Sequence, residues 1–198
     1  MSTQTDVSPR SRAIAPTDLA YIAVFAALLA ALALAPAIPI GLAAPLTLQV
    51  VGVALAGLCL GWWRGAAAVA LYVVVGLAGL PVFAGGKAGV GVLFGPTGGY
   101  LIAFILSAAL IGFLAERIVA HGISPLTPLW FFVACMAARI LLIWPIGAAG
   151  MARAVPMPFE KALAADVVGF WLPDAIKFVI AALLAFAVHK AFPRLFAR

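Results

Sequence analysis

Long apolar blocks, separated by short polar or glycine-rich connections, make up most of this sequence. Within each block the apolar residues continue around every side of a helix, as expected for a helix surrounded by lipid or by other helices. A helix crosses the bilayer core with about 20 apolar residues. The pattern therefore predicts an all-α integral membrane protein with six transmembrane helices, at residues 19–35, 46–62, 66–80, 100–119, 129–147 and from about 167 or 173 to 189.

The composition excludes a soluble enzyme domain. Of the 198 residues, 67% are hydrophobic and 9% are charged, whereas soluble domains carry about 25% charged residues. The net charge of +6 indicates attraction to the cytoplasmic face of a membrane, because lysine and arginine concentrate in cytoplasmic loops. We therefore expect the lipid bilayer as a partner and no nucleic acid.

The positions of the basic residues predict that both termini are cytoplasmic. With six spans and the amino terminus inside, most of these residues fall in cytoplasmic segments, as the positive-inside rule requires. The predicted cytoplasmic residues are Arg10, Arg12, Arg64, Arg117, Lys190, Arg194 and Arg198, and the predicted external ones are Lys87, Arg153 and Lys161.

Three regions follow from these patterns: a cytoplasmic tail at 1–18, a six-helix membrane domain at 19–190 and a basic cytoplasmic tail at 191–198. A cleaved signal peptide is an alternative for the first block, because two arginines precede it and an Ala-Leu-Ala pattern lies within it. Cys59 and Cys135 lie in separate apolar blocks, where a thiol behaves as a small apolar group. Neither a disulfide nor a metal site is predicted.

The connection between the third and fourth blocks, at 81–100, is rich in glycine and contains two prolines, so a regular helix is disfavoured. It also carries many apolar residues, which water does not favour. Irregular backbone at membrane depth is tolerated where it is buried in protein or lines a cavity. We interpret the segment as the wall of a pocket. A flexible connector whose apolar residues pack on the helix ends is the alternative.

The last block contains an acid and a base at membrane depth. Pro173 and Asp174 are typical of a helix start, which we therefore predict at this position. Lys177 is unfavourable near a helix amino terminus and costly within the bilayer, although Asp174 shares its helical face and can pair with it. We expect both side chains to contact a ligand, with the Lys177 ammonium receiving a carboxylate. The alternative is that Lys177 extends to the outer lipid headgroups.

A few further polar residues fall on the same side of the predicted bundle. Thr47 and Gln49 begin the second block, while Thr97 and Tyr100 end the glycine-rich segment. These residues are expected to converge on one outward-facing cavity, although an interhelical hydrogen bond explains Gln49 equally well. Arg139 lies near the middle of the fifth block, where we expect a structural pairing with an acidic residue or with helix-end carbonyls.

The first block carries Ala23, Ala27 and Ala31 at intervals of four. Small residues at this spacing allow another helix to approach closely, so they form a candidate docking face for a partner. Packing inside the bundle is the alternative.

The residues of several catalytic systems are missing. His121 and His189 both fall at predicted cytoplasmic helix ends, and no Ser-His-Asp or Cys-His arrangement is apparent. A phosphate-binding loop requires G-x-x-x-x-G-K-[ST], but Ala88 follows Gly86 and Lys87, and position 81 is proline. We therefore predict no catalytic residue and no cofactor, and transport would need an external source of energy.

Four motifs resemble one family. Residues 79–86 (Gly-Leu-Pro-Val-Phe-Ala-Gly-Gly) and 95–101 (Gly-Pro-Thr-Gly-Gly-Tyr-Leu) are similar to the signature of BioY proteins, the biotin-binding S components of energy-coupling factor (ECF) transporters. Residues 45–49 (Pro-Leu-Thr-Leu-Gln) and 172–177 (Leu-Pro-Asp-Ala-Ile-Lys) resemble two further family motifs. Proline at 173 departs from the expected glycine and leaves the Asp-x-x-Lys spacing intact. The resemblance extends over 19–190.

This resemblance implies an S-component-like six-helix bundle in a prokaryotic cytoplasmic membrane, with biotin bound near the outer face. It also implies a transmembrane coupling subunit and a pair of ATP-binding-cassette ATPases as partners, with docking through the alanines of the first helix. A basic residue in the third loop would contact the ligand, and Lys87 is the only one there. The implied ligand-binding residues are Gln49, Val82, Phe83, Lys87, Thr97, Tyr100, Asp174 and Lys177.

The function expected from the sequence is therefore uptake of external biotin, released to the cytoplasm when partner ATPases drive the complex. One alternative is an S component for a different vitamin. A membrane enzyme acting on lipid is a second alternative, which the absence of paired acidic motifs disfavours.

Overall fold

The computed structural model describes residues 15–39, 41, 44–192 and 196. Most of these residues are helical, in agreement with the all-α prediction. The helices are α1 (Pro16–Leu34), α2 (Gln49–Leu60), α3 (Trp62–Leu77), α4 (Gly98–Ala120), α5 (Thr127–Ala138), α6 (Trp144–Ala154) and α7 (Phe159–Ala191). Two short 3₁₀ helices, Ala84–Gly86 and Val90–Phe94, lie between α3 and α4, and a π-helical turn at Arg139–Ile143 joins α5 to α6.

Four helical stretches in the described part of the chain are long and apolar enough to cross a membrane. They are α1, α4, the stretch Thr127–Ala154 that contains α5 and α6, and α7. Helices α2 and α3 are also apolar but have only 12 and 16 residues, about 18 and 24 Å of helix. The described residues form six helical units when α5 and α6 are taken together, and the number that crosses the bilayer stays a prediction.

Helix α4 lies at the centre of the bundle. It packs against α2, α3, α5 and α6, while α7 packs against α2, α5 and α6, and α1 packs against α2 and α3. Glycines allow the closest approaches. A Cβ atom on Gly99 in α4 would lie 2.9 Å from the Gly150 Cα atom in α6, so the two backbones touch where these helices meet.

A single glycine connects α2 to α3. Gly61 has a φ of 81°, a left-handed conformation that glycine adopts without steric cost. The Trp62 N–H group donates a hydrogen bond to Glu116 Oε1 of α4 at 3.1 Å, which satisfies one of the free N–H groups at the start of α3. The chain therefore reverses direction within one residue, and both short helices lie against α4.

The predicted helix start at Pro173 is wrong. Helix α7 begins at Phe159, and Pro173 lies inside it. Proline within a helix removes one backbone hydrogen bond, which neighbouring helices make tolerable at membrane depth. Glu160, not Asp174, is the acidic residue in the first turn. Asp174 and Lys177 consequently belong to the middle of a long helix, where their charges do not act on a helix end.

The tail regions lie mostly outside the described residues. Helix α1 begins at Pro16, inside the region predicted as tail, and residues 1–14 are not described. At the other end α7 continues to Ala191, beyond the predicted end of the last span at His189, and the basic tail at 191–198 is described only at 191, 192 and 196.

Candidate functional site

One cavity opens at the end of the bundle where α2 and α4 begin. Its empty space amounts to about 690 Å³, a volume that includes the open mouth. The wall combines apolar side chains with a small set of polar ones. The polar residues that line it are Thr47, Gln49, Lys87, Thr97, Tyr100, Asp174 and Lys177.

The cavity brings together most of the predicted site residues, from four separate parts of the sequence. Phe83 also lines it, whereas Val82 does not. The Val82 carbonyl instead accepts a hydrogen bond from the Tyr72 hydroxyl at 3.2 Å.

The glycine-rich segment forms one wall of this cavity. Phe83 is 2% exposed, and its ring contacts the Tyr72 ring edge-on at a centroid distance of 5.5 Å. The Gly89 N–H group donates to the Gly76 carbonyl at 2.8 Å, which ties the segment to the end of α3. Not every apolar residue faces inward, because Val90 and Phe94 are exposed. The segment thus serves as a wall at some positions and as an outer surface at others.

Arg153 holds the far side of the same segment. Its Nη2 atom donates to the Leu93 carbonyl at 2.7 Å, and its guanidinium lies 5.7 Å from the centroid of the Phe94 ring. A cation over an aromatic face is attracted by the ring quadrupole. The end of α6 therefore contacts the glycine-rich segment at 81–100, which we call the wall segment, from outside the cavity.

A chain of hydrogen bonds fixes Gln49 at the cavity wall. The Thr47 hydroxyl donates to Gln49 Oε1 at 3.0 Å, and Gln49 Nε2 donates to the Tyr72 hydroxyl at 2.7 Å. Gln49 thus makes the interhelical hydrogen bond considered as an alternative and also lines the cavity. Sequence reasoning missed Tyr72, whose only signal was a hydroxyl within an otherwise apolar block.

Asp174 and Lys177 form a buried ion pair at the cavity. Lys177 Nζ lies 3.1 Å from Asp174 Oδ1, and the two residues are 8% and 3% exposed. Lys177 therefore does not extend to the lipid headgroups. The second carboxylate oxygen, Asp174 Oδ2, lies 3.0 Å from Arg139 Nε. The prediction that Arg139 pairs with an acidic residue is confirmed by this contact.

Asp166 completes the charged cluster and was missed in the sequence. It is fully buried, forms an ion pair with Arg139 Nη2, and accepts a hydrogen bond from the Tyr100 hydroxyl at 2.6 Å. The sequence did show a carboxylate among apolar residues at this position. It was overlooked because the last helix was predicted to begin after Asp166. We refer to Arg139, Asp166, Asp174 and Lys177 as the charged cluster. It contains two cations and two anions, so their charges balance.

Ala23, Ala27 and Ala31 lie on the exposed side of α1. The opposite side, which includes Ala26 and Leu29, is buried against the bundle. Packing inside the bundle therefore does not account for the alanine spacing. The exposed alanines leave a shallow strip on the surface of α1.

Neither histidine adjoins the cavity. His121 is exposed after α4. His189 is 1% exposed, lies 2.8 Å from the Leu58 carbonyl through Nε2, and its ring contacts Phe131. Within the described residues no group of histidine, cysteine, aspartate and glutamate side chains is arranged to hold a metal ion.

Comparisons with known proteins agree with the motifs. The sequence model of the BioY family matches residues 3–194. The chain is 40% identical to "Biotin transporter BioY" of Rhizobium etli, over 91% of this chain and 97% of that protein. It is 37% identical to "Biotin transporter BioY" of Rhodobacter capsulatus, over 89% and 95%. The S-component for biotin from an ECF-type ABC transporter has a similar solved structure, with a TM-score of 0.81, 28% identity and coverage of 88% of this chain and 91% of that one.

Proposed function

Because this chain belongs to the BioY family, we propose that it is the biotin-binding S component of an ECF-type importer and that biotin occupies the cavity between α2, α4 and α7. The observation that carries the proposal is the composition of that cavity. Apolar walls surround the Asp174–Lys177 pair, Gln49 and Tyr100, and pockets for small molecules combine such walls with few, well-placed polar groups.

Biotin has two polar ends, and the charge of the cavity supports one orientation. Asp174 and Lys177 lie at the buried end of the cavity, and the charged cluster to which they belong has no net charge. A ligand carboxylate beside Lys177 would therefore add a third anion to a buried site. Lys87 is exposed, lines the cavity, and has no ion-pair partner within 4.0 Å in the described part of the chain. We therefore assign the carboxylate to Lys87 and the uncharged ureido group to Asp174, Lys177 and Gln49.

The ureido group fits the deep polar residues chemically. Its two N–H groups are donors for a carboxylate, and its oxygen is an acceptor for an ammonium or an amide N–H. The bicycle and the aliphatic tail then lie against Phe83, Val92 and Phe104, which line the same cavity. This orientation leaves no buried charge of the ligand unpaired.

Energy comes from partner proteins in this proposal. The exposed alanine strip of α1 supplies the surface on which a transmembrane coupling subunit docks, and the ATPases of the complex drive release. Before ATP-driven release, the cavity then faces the outer side of a prokaryotic cytoplasmic membrane. The chain itself carries no catalytic role.

Binding of a vitamin panel to the detergent-solubilised chain tests the function. We expect biotin to raise the melting temperature, because a ligand that binds only the folded state stabilises it, while riboflavin and thiamine leave it unchanged. A rise with another vitamin and none with biotin would make the chain an S component for that vitamin. Turnover of a lipid head group by the isolated chain would favour the enzyme instead.

A further inference from the structure

Arg139 lies behind the wall of the cavity and does not line it. It is fully buried, and its guanidinium contacts two carboxylates of α7 through different nitrogen atoms. Arg139 Nε lies 3.0 Å from Asp174 Oδ2, while Nη2 pairs with Asp166. The two aspartates are about 12 Å apart along the helix axis, on either side of Phe170. One side chain thus spans two turns of α7.

Each of these carboxylates leads to a side chain at the cavity. Asp174 lines the cavity and holds Lys177 at 3.1 Å. Asp166 accepts the hydrogen bond of Tyr100, which also lines the cavity. Arg139 is therefore connected to three lining residues on two helices, without adjoining the cavity itself.

Stability alone does not explain this arrangement. Buried ion pairs contribute little net stability, because removing the charges from water costs about as much as their attraction returns, and apolar replacements are often as stable or more so. Arg139 is also not fully satisfied, since its Nε and Nη1 atoms are buried without a hydrogen-bond partner in the described residues. Its contact with Asp174 through Nε is therefore an ion pair and not a hydrogen bond. A guanidinium is suited instead to fixing the orientation of carboxylates, because its donors form a rigid planar fork.

We propose that Arg139 is a positioning residue for the ligand: it orients the Asp174 carboxylate directly and the Tyr100 hydroxyl through Asp166. The inference rests on the proposed function, since it requires that biotin occupies this cavity. Arg139 acts only through these neighbours and does not touch the ligand. Loss of Arg139 should therefore weaken binding even where the bundle remains folded.

The test compares Arg139→Met/Asp166→Asn with the unaltered chain. The double change removes one cation and one anion, so the Asp174–Lys177 pair remains and its charges still balance. We expect the unliganded double variant to melt close to the unaltered chain, while its Kd for biotin, measured by calorimetry, rises about tenfold or more. A Kd within about twofold of the unaltered chain would overturn the proposal.

A second buried ion pair provides the matched control. Arg64 Nη1 and Asp18 Oδ1 are 3.4 Å apart with both side chains buried, and they join α3 to α1 at the end of the bundle away from the cavity. Arg64→Met/Asp18→Asn removes the same charges and should change the biotin Kd by less than about twofold. An equal loss of affinity in both double variants would mean that a general loosening is responsible, which contradicts the positioning role.

Arg139→Lys keeps the proposal testable if the double variant does not fold. Lysine retains the charge but presents a single ammonium in place of a fork, so it does not hold both carboxylates at their present angles. We expect a folded protein with a biotin Kd raised about fivefold or more, and unaltered affinity would overturn the proposal. Failure of the unaltered chain to bind biotin would instead contradict the proposed function.

Discussion

Two lysines reach the cavity at different depths, and their surroundings differ. Lys177 is buried and shares Asp174 with Arg139, whereas Lys87 is exposed and has no ion-pair partner in the described part of the chain. A charge that is already compensated gains less from a new anion than one that is not. The surroundings of the two lysines therefore indicate different roles, Lys87 binding the carboxylate of the ligand and Lys177 its ureido group.

Replacing each lysine with methionine distinguishes these roles. We expect Lys87→Met to weaken biotin binding about tenfold, or about 1.4 kcal/mol, because a charge-assisted hydrogen bond is lost, and to leave the Kd of biotin amide nearly unchanged. Lys177→Met should weaken the binding of biotin and of biotin amide equally, because Lys177 contacts the ureido group that both ligands share. Equilibrium binding of both ligands to both variants measures the four values.

The opposite pattern would reassign the carboxylate. If Lys177→Met removes the preference for the acid and Lys87→Met leaves it intact, the carboxylate lies at the deep end beside Lys177. Arg153→Met serves as the control, because Arg153 is an exposed cation at the end of α6 that contacts the wall segment but does not line the cavity. It should preserve the ratio of the two Kd values.

The sequence identified several residues that the structure brings to one cavity, but not the residues that hold them. Asp174 and Lys177 are three apart, so their shared helical face follows from the period of the helix. Tyr72 and Asp166 act across helices, on Gln49 and Arg139, and no periodicity relates such positions. Partners on different helices become visible only when the packing of the bundle is known.

At the scale of elements, the wall segment depends on a close contact with α3. A Cβ atom on Gly76 would lie 2.2 Å from the Phe83 ring, so glycine at this position leaves the space that the ring occupies. Tyr72, one turn earlier on α3, contacts the same ring at its edge. The end of α3 thus shapes the inner face of the wall.

Gly76→Ala should push the Phe83 ring toward the cavity. Overpacking of this kind costs about 1–3 kcal/mol, so we expect a lower melting temperature and a biotin Kd raised several-fold. Thermal unfolding and calorimetric titration measure the two effects. A variant with unaltered affinity would indicate that the wall does not contact the ligand at Phe83.

Gly91→Ala is the matched control within the same segment. No atom lies within 4 Å of a Cβ at this position, and its φ is not in the left-handed region. The substitution therefore adds the same methyl group without a collision, and both stability and affinity should stay near those of the unaltered chain.

Hydropathy predicted where the helices are but not how proline affects the backbone within two of them. The fifth block contains a π turn at Arg139–Ile143 that precedes Pro145. Proline has no N–H group for the preceding turn, which favours a wider local hydrogen-bonding pattern. Pro173 also lacks an N–H group but lies in a continuous α-helix. Proline can begin, widen or merely interrupt a helix, and packing against neighbours decides among these outcomes.

At the scale of the whole molecule, the charges divide between the two ends of the bundle. Arg64, Arg117 and Lys190 lie at the end where α1 begins and α7 finishes. Lys87, Arg153 and Lys161 lie at or beyond the cavity end, and the charged cluster lies between the two groups. Because the two tails of the sequence add further basic residues to the first end, the positive-inside rule predicts that this end is cytoplasmic. The cavity would then open outward, as capture of an external ligand requires.

Single cysteines on the two ends test this orientation. Val90 is an exposed residue of the wall segment, and Ile123 is an exposed residue of the connection between α4 and α5. We expect a membrane-impermeant maleimide to label Val90→Cys in intact cells and Ile123→Cys only after permeabilisation. The unaltered chain supplies the background, because Cys59 and Cys135 are 2% and 0% exposed and should not react. Labelling of Ile123→Cys alone in intact cells would place the cavity mouth on the cytoplasmic side, which is incompatible with the capture of external biotin in this resting conformation.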